Sequence, residues 1–107
     1  MTIEYSIKKY IKETMSIDIV DTKNVFLKGK NIYDNTTTYF GIWDNGEEIV
    51  IAILVKNRYI YYTTSKIKSV FTEEDIKEYL SENKNVTVIS REEFKENLDR
   101  IKSRLVL

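Results

Sequence analysis

Residues 49–55 read Ile49-Val50-Ile51-Ala52-Ile53-Leu54-Val55, the one place in the chain where seven apolar residues follow each other without a polar break. Most of them are β-branched, and such a run is typical of a strand that is covered on both faces. It is too short to cross a membrane, and turn-forming residues bound it at Asp44-Asn45-Gly46 and Lys56-Asn57-Arg58. We therefore predict that this run is the central strand of a sheet.

Two neighbouring strands are predicted, one on each side of this run. Residues 36–43 are rich in β-branched and aromatic side chains, and Asn45-Gly46 then leads into residues 47–55, which is the strongest short-range hairpin signal in the chain. Asn57 marks a second reversal, into residues 59–64. The three strands are expected to form an antiparallel meander with residues 49–55 in its middle.

The N-terminal region has the spacing of an amphipathic helix. Its apolar residues recur on one side of a helical wheel, which predicts a helix over residues 2–15 with Thr2 as the N-cap. Residues 17–33 then change to an extended pattern, in which Lys28-Gly29-Lys30-Asn31 is predicted to be a turn. The apolar positions of the helix are Ile3, Ile7, Tyr10, Ile11 and Met15.

Two capping motifs mark the starts of helices in the C-terminal third. Thr72-Glu73-Glu74-Asp75 has the form of a capping box, with Phe71 and Ile76 as its hydrophobic staple, and Ser90-Arg91-Glu92-Glu93 repeats this pattern. The first helix is expected to end near Asn83, and residues 86–89 form a short strand before the second helix. The buried positions are predicted to be Ile76, Tyr79 and Leu80 in the first helix and Phe94, Leu98, Ile101 and Leu105 in the second.

These elements predict a mixed α/β (α+β) domain with the order α-β-β-β-β-α-β-α. We expect a central, largely antiparallel sheet of three to five strands with helices packed on it. The 107 residues are expected to form a single globular domain, because a chain of this length can bury a sizeable core and no linker-like segment interrupts it.

Composition excludes several classes of chemistry. The chain contains no Cys and no His, so it offers no thiol nucleophile, no imidazole base, no disulfide and no zinc site built from those ligands. Lys plus Arg equals Asp plus Glu at 17 each, which argues against a general nucleic-acid coat and against an acidic DNA mimic. We expect no cofactor, and the absence of a signal-peptide pattern predicts a soluble cytoplasmic protein.

Carboxylates are the only acid or base candidates, and three of them, Asp44, Glu47 and Glu48, lie around the predicted hairpin turn. Catalytic carboxylates need burial or a like-charged neighbour to shift their pKa, and a hairpin tip rarely offers either. Their spacing is also unlike that of known calcium loops. We therefore interpret them as a solvated turn and predict neither a catalytic residue nor a metal site.

Two segments, Thr36-Thr37-Thr38-Tyr39-Phe40-Gly41-Ile42-Trp43 and Ile53-Leu54-Val55-Lys56-Asn57-Arg58, resemble adjacent strands of the PD-(D/E)XK nuclease superfamily, which includes Holliday-junction resolvases. The resemblance implies a hairpin that carries an Asp on one strand and Glu-x-Lys on the next. Here Thr38 stands in place of the Asp and Leu54 in place of the Glu, and only Lys56 matches. Because paired carboxylates are missing, the resemblance implies a catalytically inactive relative.

Residues 59–64 form the most distinctive predicted surface. If Ile60 and Tyr62 point to the core, alternation sends Tyr59 and Tyr61 to the other face. Aromatic rings among cations can bind a protein partner or stack with single-stranded nucleic acid, and they can equally lie under a helix. The candidate binding residues are Lys56, Arg58, Tyr59, Tyr61, Lys66 and Lys68.

The preferred interpretation is a small non-enzymatic binding protein that acts through surface contacts. It would be of the inhibitor or accessory kind found in viruses and mobile elements, and the abundance of Ile, Lys, Asn and Tyr, which suggests an AT-rich genome, fits that source. The alternative is a nucleic-acid-binding, catalytically inactive nuclease-like domain, and a divergent metal-dependent enzyme is a third class. A protein partner is preferred to nucleic acid, no membrane contact is expected, and a homo-oligomer stays open.

Overall fold

The apolar run at 49–55 forms one strand of a five-stranded antiparallel sheet, and its side chains are buried on both faces of that sheet. The computed structural model describes residues 2–56, 58–63 and 72–105, with the backbone alone described for residues 58–63 and 104–105. The elements are α1 (Ile3–Thr14), β1 (Val25–Asn31), β2 (Thr37–Asp44), β3 (Ile49–Val55), β4 (Arg58–Thr63), α2 (Glu73–Ser81), β5 (Asn83–Val88) and α3 (Arg91–Leu105). The predicted order of elements and the mixed α/β class are thus confirmed.

The strand order in the sheet is β4-β3-β2-β1-β5, and every neighbouring pair is antiparallel. As predicted, β3 is the middle strand of the β2-β3-β4 meander. It is not the middle strand of the sheet, because β1 and β5 extend the sheet beyond β2. The apolar run is nevertheless buried throughout its interior, since helices cover both faces.

Two hydrophobic clusters lie on opposite faces of the sheet. We name these faces after the helices that cover them. The α1/α2 face holds Ile7, Ile11, Val25, Leu27, Phe40, Ile42, Ile51, Ile53, Ile76 and Leu80. The α3 face holds Phe26, Trp43, Val50, Ala52, Leu54, Phe94, Leu98 and Ile101. Successive side chains of β3 point alternately into the two clusters. Both sides of the strand are therefore buried, which explains why no residue of the run is polar.

The helix starts follow the capping signals. The Thr2 hydroxyl accepts from the N–H of Tyr5 at 3.1 Å, and the Thr72 hydroxyl accepts from the N–H of Asp75 at 3.2 Å. The Asp75 carboxylate in turn accepts from the N–H of Thr72 at 2.9 Å, which completes the predicted capping box. Ser90 caps α3 in the same way, through the N–H of Glu93 at 3.1 Å. Phe71, the predicted staple residue, lies outside the described residues.

Three aromatic rings organise the α3 face. Phe94 is fully buried, and its ring centroid lies 5.1 Å from that of Phe26 and 5.5 Å from that of Trp43. The Nζ of Lys95 lies 4.0 Å from the Trp43 ring centroid, and burial lowers the pKa of this lysine. Trp43 is buried in this cluster. Gly41 lies under this cluster, where a Cβ would come within 2.8 Å of Phe94 Cζ.

The predicted turn at Lys28-Gly29-Lys30-Asn31 is wrong, because these residues continue β1. Gly29 is needed for a close approach between strands, since a Cβ there would lie 3.0 Å from Asn83 Cβ and from Val86 Cγ2 of β5. The chain reverses instead at residues 32–36, where Asn35 has φ +61° and the Asn31 side chain accepts from the N–H of Tyr33 at 2.8 Å. Gly29 therefore serves the packing of two strands and not a turn.

Candidate protein interface

The turn between β3 and β4 brings Lys56 next to an acidic turn. Lys56 is exposed and has φ +57°, in the left-handed region that non-glycine residues seldom adopt. Its Nζ lies 3.2 Å from Oδ2 of Asp34, which belongs to the turn between β1 and β2. An exposed ion pair of this kind contributes little to stability, because solvent screens both charges. The pair therefore joins two turns at one end of the sheet while leaving both charges accessible.

The carboxylate of Asp34 is stabilised in its ionised form by its own turn. It accepts hydrogen bonds from the Thr36 hydroxyl at 2.7 Å and from the Thr36 N–H at 3.0 Å. These bonds, with a smaller contribution from Lys56, lower the pKa of Asp34 from 3.8 to about 2. Asp34 consequently keeps its negative charge at any pH well above 2.

We expect the stabilising contribution of the Asp34 carboxylate to disappear in acid. Because the pKa of Asp34 is lower in the folded chain, the contribution is present above the unfolded value of 3.8 and is lost as the pH falls through about 2. The difference in urea midpoint between wild type and Asp34→Asn should therefore narrow from pH 4 to pH 2. Asp18→Asn, at an exposed position, is the control. A difference that stays constant over this range would contradict the prediction.

Three of the predicted binding residues, Arg58, Tyr59 and Tyr61, lie in β4. The register places Tyr59 opposite Leu54 and Tyr61 opposite Ala52. Because directly opposed residues of an antiparallel pair share a face, positions 59 and 61 belong to the α3 face. Lys66 and Lys68 lie outside the described residues. The structure thus brings Lys56 and three positions of β4 together, and the accessibility of the two tyrosines stays a prediction.

One edge of the sheet is formed by β4. This strand pairs with β3 over all six of its residues, in an unbroken register. Among the residues that the structure describes, no strand pairs with its outer side. Such an edge presents a row of backbone N–H and C=O groups, and it can accept an added strand from another chain.

The opposite edge, formed by β5, is interrupted. Its register with β1 shifts between Lys28 and Lys30, and Asn85 has φ +54° at this irregularity. Lys84 is exposed on the same strand. A bulge and an exposed lysine are devices by which proteins prevent strand addition at a sheet edge. The predicted strand at 86–89 in fact begins three residues earlier, at Asn83, because the bulge lets the chain pair on both sides of it.

The two positions that the nuclease resemblance assigns to metal ligands lie on opposite faces of the sheet. Thr38 lines the α1/α2 face together with Phe40, whereas Leu54 belongs to the α3 cluster. Acidic residues at these two positions could not bind one cation together, since strand alternation separates them. Within residues 2–56, 58–63 and 72–105, no group of three or more acidic residues could hold a metal ion.

Two exposed valines were missed by the sequence interpretation. Val20 is 89% exposed and Val88 is 60% exposed, and both line a surface groove beside the start of α3. The exposure of Val20 could have been predicted from the alternation of this segment. Ile17 and Ile19 are partly buried, whereas Asp18 and Val20 lie on the other side of the chain and are exposed. Single exposed apolar residues are common on protein surfaces, so the groove by itself identifies no function.

Comparison of the chain with protein-family models, with curated proteins and with solved structures gives no match. The resemblance to the PD-(D/E)XK superfamily therefore stays a prediction. In the described part of the chain, every helix is too short or too polar to span a membrane.

Proposed function

We propose that this chain is a small non-enzymatic protein-binding module that binds an extended segment of a partner protein along the outer edge of β4. One observation carries the proposal: the two edges of the sheet differ. The β5 edge has a bulge, a left-handed Asn85 and an exposed Lys84, whereas β4 keeps a regular register over its full length. A sheet edge without such protection is a template on which an extended segment of another chain can add as a further strand.

Strand addition gives affinity through main-chain hydrogen bonds. A partner aligned with Arg58–Thr63 would form several such bonds, each contributing ~0.5–1.5 kcal/mol net. Lys56 lies at one end of this edge, and its exposed pair with Asp34 can give way to a partner carboxylate at little cost. Arg58 follows at the start of the strand. The module is therefore expected to prefer acidic segments, mainly through faster association.

The proposal keeps the role expected from the sequence, that of an inhibitor or accessory protein of the kind found in viruses and mobile elements. It also keeps the expected location in the cytoplasm. The described residues hold no observation that favours nucleic acid over a protein partner, since the contact that Lys56 makes is with a carboxylate, a group that a protein partner also offers. Nucleic-acid binding through the same cations is consequently a competing result that the binding experiment must distinguish.

The experiment selects peptides from a random phage-displayed library on the folded protein and maps each bound peptide by hydrogen exchange. We expect protection of alternate amides in β4, because every second N–H of an edge strand points outward. Peptides that protect only Val88 and its neighbours would contradict the proposal. So would strong binding of a single-stranded oligonucleotide that weakens steeply as salt rises.

Adjacent proline substitutions supply a matched pair of variants. Ile60 and Tyr61 are neighbours in β4, and the N–H groups of successive strand residues point to opposite sides of the strand. One of these two N–H groups therefore points to β3 and the other points outward. Of the variants Ile60→Pro and Tyr61→Pro, one should lose stability and the other should stay folded but lose peptide binding. Two stable variants that both retain full binding would overturn the proposed site.

A further inference from the structure

Helix α3 crosses the sheet from one edge to the other. Two residues separate its start from the end of β5, and the helix contacts β1, β2 and β4. Its 15 residues span about 22 Å along the helix axis, whereas the distance from β5 to β4 across the sheet is about 19 Å. The C-terminal part of α3 therefore lies above β4, at the edge where we expect a partner strand to bind.

The two sides of α3 face opposite ends of the strands. Oε2 of Glu93 lies 3.4 Å from Nζ of Lys28, whereas Lys95, on the other side, lies over the Trp43 ring. Lys28 belongs to a row of directly paired residues that reaches the start of β4, and Trp43 belongs to a row that reaches the end of β4. The first row is Lys28, Tyr39, Leu54 and Tyr59, and the second is Trp43, Val50 and Thr63.

This geometry brings Arg100 to the start of β4. Arg100 follows Glu93 by two helical turns on the same side of α3, which places it about 10 Å closer to β4. It is exposed, and its guanidinium donates one hydrogen bond to Oδ1 of Asn97 along the helix. A guanidinium has five N–H donors in a planar fork, so Arg100 can also bind a carboxylate.

The two ends of the β4 edge consequently differ in charge. Three basic positions and one acidic residue lie at its start, whereas the turn between β2 and β3, beyond its last row, exposes Asp44 and Glu47. On the side of α3 toward this turn, Lys102 is accompanied by Asp99, since both charges act on Lys95. The residues at the start of β4 are Lys56, Arg58, Arg100 and Asp34.

We propose that the partner segment adds antiparallel to β4 and carries acidic side chains in its C-terminal half, where Arg100 and Lys56 bind them. The proposal rests on strand addition at β4, the function proposed above. An antiparallel partner places its C-terminal half opposite the first residues of β4, and every strand pair already in the sheet is antiparallel. Acidic residues in its N-terminal half would instead approach the exposed carboxylates of Asp44 and Glu47, which repel them.

The experiment compares two blocked octapeptides of identical composition, in which Thr and Val alternate. Asp replaces the last two Thr residues in one peptide and the first two in the other. Both are titrated onto the full chain at low salt by NMR, and protection of the β4 amides shows that they add at this edge. We expect the peptide with C-terminal Asp residues to bind about three- to tenfold more tightly, and the difference should shrink as salt rises.

Substitutions of Arg100 test its part in this preference. Arg100→Glu should abolish or reverse the preference and Arg100→Gln should reduce it, both with little change in Tm, because the position is exposed. Arg91→Glu, the same change at an exposed position near the other edge of the sheet, is the matched control and should keep the preference.

Two kinds of result would overturn the proposal. Equal affinity for the two peptides, or a preference that Arg100→Glu leaves intact, would refute the role of Arg100 while strand addition at β4 stands. If neither peptide protects the β4 amides, strand addition itself fails and this proposal fails with it. The amide protection therefore separates failure of the site from failure of its charge preference.

Discussion

Ile51→Asp is expected to unfold the protein. Ile51 is 2% exposed, lies on the α1/α2 face of β3 and is directly opposite Ile42 of β2. The substitution would place a carboxylate without a partner inside this cluster, at a cost of several kcal/mol. A domain of this size has about 5–15 kcal/mol of total stability, so the loss takes most or all of it.

Circular dichroism and Trp43 fluorescence measure this result, because Trp43 is the only tryptophan of the chain and is buried. Ile51→Val is the matched control, which should stay folded and lose about 0.5–1.5 kcal/mol. Val20→Asp introduces the same carboxylate at an 89% exposed position and should leave Tm nearly unchanged. An Ile51→Asp variant with the melting curve of wild type would show that β3 is not essential to the core.

Elements that depend on local signals could be predicted from the sequence. The β3 run can be recognised without knowing its partners, since seven successive apolar residues, mostly β-branched and bounded by turn residues, are typical of a strand covered on both faces. The starts of α1, α2 and α3 are likewise local, because each cap joins residues three positions apart. Such interactions involve residues that are close together in the sequence, so they can be predicted without knowing the fold.

Features that depend on distant residues could not be predicted in this way. Gly29 in a strand and a glycine in a turn look alike in the sequence, and the difference is made by Asn83 and Val86, more than fifty positions away. The bounds of β5 were missed for the same reason, because its first residues pair with β1 across a bulge. Tertiary contacts outweigh local propensity at both places.

The candidate site divides along the same line. The positive charges around β4 are visible in the sequence, and Lys56 is identified from them. Its partner Asp34 is not, because the pair joins two turns that only the antiparallel sheet brings together. Whether β4 is an edge is equally hidden, since the strand order depends on where β1 and β5 add to the meander. The proposed function therefore rests on topology more than on composition.

Phe94→Ala is expected to cost about 3–5 kcal/mol, the range for removing a fully buried phenylalanine. The ring contacts Phe26 and Trp43 and fills the space above Gly41, so its loss would leave a cavity between α3 and the sheet. Urea unfolding followed by circular dichroism measures the loss. Glu96→Ala, at an exposed position of α3, controls for helix propensity and should change stability little.

The space above Gly41 allows a sharper version of this test. A Cβ at position 41 would lie 2.8 Å from Phe94 Cζ and 3.0 Å from Phe26 Cδ1, so Gly41→Ala should overpack the cluster and cost about 1–3 kcal/mol. In a Phe94→Leu background the closest atom is absent, and the same substitution should cost clearly less. The double-mutant cycle is then expected to give a coupling energy of about 0.5–3 kcal/mol. If the two losses simply add, α3 does not pack on β2 through this contact, and the α3 face is assembled around a different set of side chains.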